Sequence, residues 1–210
     1  MTYQPDAKDV MRLRQETGAG MMDCKRALAE TSGDFEEARD LLRKQGLAEV
    51  AKRSGRNATE GGVFAYIHQL DPDLPAKIGV LIELDCETDF VAKTPEFKQL
   101  ARDLAMHIAA MEPRWISKTD IPDDFLDRER KILMESDRVK GKKPEIVEKI
   151  LEGSIASILS DKGGALLEQA HIKDESGKKK VAELVSEYAA QVKENIIVRR
   201  FARFKVGEEE

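Results

Sequence analysis

Long apolar runs, paired cysteines and an excess of basic charge are all missing from this sequence, and each absence excludes a class of protein. No apolar stretch approaches the roughly 20 residues that a membrane-spanning helix needs, so no membrane partner is expected. Cys24 and Cys86 are isolated and lack metal-ligand spacing, which reads as free thiols in a reducing compartment. The opening Met1-Thr2-Tyr3-Gln4-Pro5-Asp6 has neither the basic nor the apolar region of a signal peptide. A cytoplasmic location is the expectation. The net charge of −5 argues against a general coater of nucleic acid.

Catalytic arrangements are missing as well. There is no Gly-x-x-x-x-Gly-Lys phosphate loop, and Gly18-Ala19-Gly20 lacks both a third glycine and a preceding strand, so it reads as a tight turn between helices. His68, His107 and His171 are scattered. His107 sits among Leu104 and Ile108 in a helical pattern, where a hydrogen-bonded core histidine is the simpler reading than a ligand. Every carboxylate has a surface or capping role open to it. Nothing here asks for a metal, a cofactor or an enzyme.

What is present is an α+β pattern. With 210 residues, 41% of them hydrophobic, the chain can bury one sizeable core and a small satellite. Up to about residue 55 it is all short helices, with apolar positions at Val10 and Leu13, at Met21, Met22, Ala27 and Leu28, and at Phe35, Ala38, Leu41 and Leu42. Breaks are expected at Thr17-Gly18-Ala19-Gly20, at Thr31-Ser32-Gly33-Asp34 and at Gly46, with Asp34 capping the third helix. Residues 1–55 are thus expected as one domain and 56–210 as another. In the second, strands are expected over 61–68 and 77–85, and helices over 95–111, 123–138, 144–160 and 181–194. A final β-branched, aromatic and basic segment covers 195–206. The antiparallel sheet and packed helices make the fold class α+β.

Three segments carry binding potential. Glu87-Thr88-Asp89-Phe90-Val91-Ala92-Lys93 lies between a strand and the helix start Thr94-Pro95-Glu96. Phe90 either packs beneath that helix, the ordinary arrangement, or projects from a stiff turn into a partner's pocket. Met21 and Met22 are adjacent helical residues pointing about 100° apart. They cannot both sit in so thin a core, and a flexible thioether makes a good docking surface. At the C-terminus, Arg199, Arg200, Arg203 and Lys205 surround Phe201 and Phe204. Such interleaving either stacks on RNA or forms a strand with basic residues outward and aromatics inward, and overall acidity favours the second.

Leu13-Arg14 followed by Thr17-Gly18-Ala19-Gly20-Met21-Met22-Asp23-Cys24-Lys25-Arg26-Ala27-Leu28 resembles the N-terminal signature of the translation elongation factor Ts family. Cys86-Glu87-Thr88-Asp89-Phe90-Val91-Ala92-Lys93 resembles its second signature, and Glu194-Asn195-Ile196-Ile197-Val198-Arg199-Arg200-Phe201 is similar to its C-terminal core strand. The resemblance implies a three-helix, ubiquitin-associated-like N-terminal domain that docks on the GTPase elongation factor Tu through Arg14, Met21 and Met22. It implies that Thr88, Asp89, Phe90 and Val91 enter that partner near its nucleotide-bound magnesium and promote GDP release. No bond would be made or broken by this chain. Longer family members duplicate the core; this chain has room for one copy, which implies the short form and a homodimer. Ala202 stands where one short-form pattern has cysteine, so no disulfide would hold that dimer. A ubiquitin-type binding adaptor and an RNA-binding translation accessory are the rival classes. Residues 139–180 match no signature.

Overall fold

The computed structural model describes residues 3–69 and 71–208. Its N-terminal helices begin and end where local groups satisfy the orphaned backbone. α1 (Ala7–Thr17) starts on Asp6, whose carboxylate accepts from the Lys8 amide at 3.2 Å. It stops at Gly18, at φ 66°, a left-handed position that glycine takes without steric cost. α2 (Met21–Glu30) follows the turn. α3 (Phe35–Arg53) starts on Asp34, which accepts from the Glu37 amide at 2.9 Å, with Glu36 and Glu37 in the positive first turn.

The stop expected at Gly46 does not occur, and α3 continues to Arg53. A Cβ at Gly46 would stand 3.1 Å from the Ala190 Cβ. Glycine there admits a neighbouring helix; it does not end its own. Val10, Leu13, Cys24, Ala27, Leu28, Ala38 and Leu42 form the bundle's small buried core.

β1 (Glu60–His68) and β2 (Ile78–Cys86) make a hairpin. After it come a single helical turn, α4 (Asp89–Ala92), and α5 (Pro95–Met111), which Thr94 caps through the Phe97 amide at 3.2 Å. α6 (Asp123–Glu135) and α7 (Pro144–Ser160) pack together, and α8 (Val181–Val192) leads into β3 (Ile197–Lys205). The sheet is antiparallel with β2 central, in the order β1-β2-β3. The fold is α+β.

Two compact units emerge, each built from separate stretches of chain. The first gathers the described residues up to Gly61, with Asp85–Ala92 and Val185–Ile197. The second gathers Gly62–Leu84, Lys93–Leu184 and the chain from Val198 onward.

In the second unit, Val80, Ile82 and Leu84 are buried on the inner face of the sheet, and Phe64 meets Phe97 of α5 edge-on at 5.9 Å. β3 reverses part of the arrangement expected for it. Arg199 and Arg200 face solvent, but Phe204 is 64% exposed while the Arg203 side chain is only 8% exposed. Arg203 turns inward because partners wait there: Glu112 at 2.6 Å and the Ala109 carbonyl at 3.4 Å. Burial works to raise the Glu112 carboxyl, yet Lys162, Arg203 and Lys205 together hold it below the ordinary carboxylate range.

Residues 139–180 also acquire a structural account. Gly164 leaves α7 so tightly that a Cβ would stand 2.2 Å from the Leu159 carbonyl. Gln169, fully buried, then binds the loop to α5: its amide donates to the carbonyls of Met111 and Asp161, and its Oε1 lies 3.0 Å from His107 Nε2. Since His107 Nδ1 accepts from the Ile172 amide, Nε2 carries the proton. His171 stacks on His107 at 5.6 Å. The core reading of His107 therefore matches its surroundings. Burial pushes its pKa down to about 4.

Candidate functional site

The first unit contains all seven candidate residues. Arg14 lies exposed in the last turn of α1. Across the Gly18 turn, Met21 and Met22 open α2 with 42% and 71% of their surface exposed. Their neighbours Cys24, Ala27 and Leu28 take the core positions, so the pair is left outside by helical geometry. The two thioethers lie side by side on the surface of the bundle, with no part in its core.

Thr88, Asp89, Phe90 and Val91 follow the end of β2. The chain leaves β2 at Cys86, whose thiol donates to the Thr88 carbonyl at 3.1 Å. Burial and the nearby Glu194 charge push that thiol up to about 11, so it stays protonated and unreactive at neutral pH. The Thr88 carbonyl also accepts from the Ala92 amide at 3.3 Å, closing the α4 turn. Thr88, Asp89 and Val91 are half-buried, while Phe90 is 80% exposed. The ring is not packed beneath a helix. A turn this short directs Phe90 outward because its neighbours are engaged inward.

That engagement comes from two residues missing from the candidate set. Glu194 accepts from the amides of Glu87 and Thr88 at 3.0 and 3.1 Å, and from the Thr88 hydroxyl at 2.6 Å. Asn195 returns the contact: its amide donates to Glu87 Oε1 at 2.7 Å. Its side chain donates to the carbonyls of Arg56 and Ser54, at 2.8 and 3.3 Å. The sequence suggested that Glu194 ends a helix and Asn195 opens a strand. In fact α8 stops at Val192 and β3 starts at Ile197, with Lys193 between them in the left-handed region at φ 60°. No local pattern announces such a connection, since its partners lie more than a hundred residues away.

Among the described residues, no three His, Cys, Asp or Glu side chains come together as a metal site. No described helix is long and apolar enough to cross a membrane.

Comparison with known proteins gives a consistent result. Residues 47–208 match the family model described as "Elongation factor TS". The chain is 50% identical over 202 residues to "Elongation factor Ts" of Syntrophomonas wolfei subsp. wolfei, covering 96% of this chain and 90% of that one. It is 46% identical over 202 residues to that of Fervidobacterium nodosum, covering 96% and 98%. With that of Frankia casuarinae it shares 48% over 198 residues, covering 94% and 95%.

Proposed function

The chain belongs to the elongation factor Ts family of translation factors, and from that premise we propose that it is a guanine-nucleotide exchange factor for GDP-bound elongation factor Tu. The observation that carries this reading is Phe90, an 80% exposed ring on a hydrogen-bonded turn. Residues 1–55 act as the docking domain through Arg14, Met21 and Met22, and Thr88, Asp89, Phe90 and Val91 act on the nucleotide site.

The mechanism follows from linkage. GDP in a GTPase is held by oriented backbone amides and by magnesium, whose charge offsets that of the phosphates. A rigid aromatic wedge that displaces the metal and shifts those amides removes much of that hold. The wedge and the nucleotide then weaken each other's binding by the same factor. Release is accelerated in both directions, and the supply of GTP sets the net direction. The chain performs no covalent chemistry and needs no cofactor, no membrane and no direct contact with nucleic acid, and it acts in the cytoplasm.

The active form is a homodimer. Val63, Ile67, Leu81 and Phe204 are exposed on the outer face of the sheet, and a Cβ at Gly79 would lie 3.3 Å from Ile67 Cδ1 on that same face. An apolar face of this kind favours a second copy over water.

The test is stopped-flow release of fluorescent GDP from elongation factor Tu. Adding this protein is expected to speed release by about ten- to a hundredfold at saturation, the usual scale of coupling between two sites. Release at the unassisted rate contradicts the reading.

A further inference from the structure

We infer that Glu194 is the positioning residue of the Phe90 turn, and that with Asn195 it joins this turn to the end of the docking bundle. The inference rests on the exchange-factor reading and adds to it a residue that touches neither magnesium nor nucleotide.

Three donors converge on one carboxylate: the Glu87 amide, the Thr88 amide and the Thr88 hydroxyl, at 3.0, 3.1 and 2.6 Å. Both oxygens are used, and a carboxylate can accept all three bonds where an amide cannot. The Thr88 hydroxyl, oriented by Glu194, lies 3.5 Å from the Val91 amide, and the Thr88 carbonyl accepts from Ala92. Thr88 is thus fixed from both sides, and Phe90 is carried between the fixed points. Lys193 holds a left-handed backbone at φ 60°, which a non-glycine residue adopts at a cost, and this kink turns the chain from α8 into the Glu194–Asn195 pair.

Asn195 extends the connection. Its side chain holds the Ser54 and Arg56 carbonyls just past α3, while its amide holds Glu87. Arg56 also reaches Glu87 Oε1 at 3.5 Å. Asn195 therefore ties the end of the bundle to Glu87 at the base of the Phe90 turn, and Glu194 holds the turn itself. A wedge held in this way meets its partner already ordered, so contact energy goes into shifting the partner's nucleotide site instead of ordering the turn. Loss of the clamp should leave docking largely intact and impair the act of exchange.

The experiment compares the full-length chain with Glu194→Gln. Gln keeps the shape but replaces one acceptor oxygen with a donor. At saturating concentration, GDP release from elongation factor Tu is expected to slow about tenfold, the loss of charge-assisted bonds, with the half-saturating concentration changed less than about threefold. In the free chain, the Glu87 and Thr88 amides are expected to exchange hydrogen about tenfold faster while the rest of the chain keeps its protection. Thr88→Val, which removes one of the three bonds to Glu194 together with the longer contact to the Val91 amide, should also slow maximal release and leave docking largely intact, and it serves if Glu194→Gln does not fold. Combined with Glu194→Gln its effect should be less than additive, because both changes disturb the bond between the Thr88 hydroxyl and Glu194.

A wild-type maximal release rate in Glu194→Gln overturns the inference. So does a slowed rate accompanied by general loss of protection, which marks ordinary destabilisation. If the wild-type chain itself fails to speed release, the exchange reading falls separately. Hydrogen exchange in the free chain then decides alone, and unchanged protection at Glu87 and Thr88 overturns the clamp.

Discussion

At the residue scale, His107 converts burial into a pH dependence. It is fully buried, bonded to Gln169 and stacked on His171, with Asp103 and Lys173 forming an ion pair nearby at 2.7 Å. Desolvation lowers its pKa to about 4, and burial also lowers that of His171. The unfolded chain therefore binds protons that the folded chain refuses. Stability is fully present above the ordinary histidine value and is lost as pH falls from there toward 4. For His107 alone the loss amounts to on the order of 2 kcal/mol by pH 5. Denaturant unfolding between pH 7 and 5 should show this decline, and His107→Gln should flatten it. An equally steep decline in the variant would assign the effect elsewhere. The environment of this histidine was legible from its helical spacing. Its partner Gln169 was not, because the two lie 62 residues apart and no periodicity connects them. Arg203 shows the same limit: imperfect alternation along β3 leaves open which of two neighbours turns inward, and Glu112 decides it.

At the element scale, helices were readable where capping chemistry is local. Pro95 with Thr94, Asp34 before α3 and the Gly18 turn each announce a boundary in the residues that form it. Gly46 misleads for the same reason that makes it useful. Glycine marks both helix ends and close approaches, and only Ala190 on the facing helix distinguishes them. The residues between β2 and α5 read as a short connection, but the exposure of Phe90 is legible only through the resemblance, since the residues alone favour a staple beneath the next helix. The N-terminal bundle offers the prediction at this scale. Met21→Ala or Arg14→Ala should weaken binding to elongation factor Tu by about 1–4 kcal/mol in calorimetry. Both positions lie outside the bundle core, so circular dichroism and melting temperature should stay close to those of the wild type. Unchanged affinity in both variants would take docking away from this bundle.

At the scale of the whole molecule, two places expose apolar side chains: the outer face of the sheet and the turn that carries Phe90. Sedimentation under reducing conditions should show a dimer that persists without any disulfide, since Cys24 and Cys86 are both buried and free. Phe204→Glu, which places a charge on the outer face, should shift it to monomer by at least about tenfold in dissociation constant. A strict monomer of the wild type at micromolar concentration would remove the dimer. The central claim is that Phe90 acts on the nucleotide site beyond adding contact area. The measurement that tests it most directly is GDP release from elongation factor Tu driven by Phe90→Ala, read together with the affinity of that variant. Only a differential effect between two states can shift an equilibrium. The variant should therefore bind within about tenfold of the wild type, consistent with one lost anchor. Its maximal release rate should fall considerably further, with an unchanged melting temperature. Normal release per bound molecule, whatever the affinity, would contradict the account.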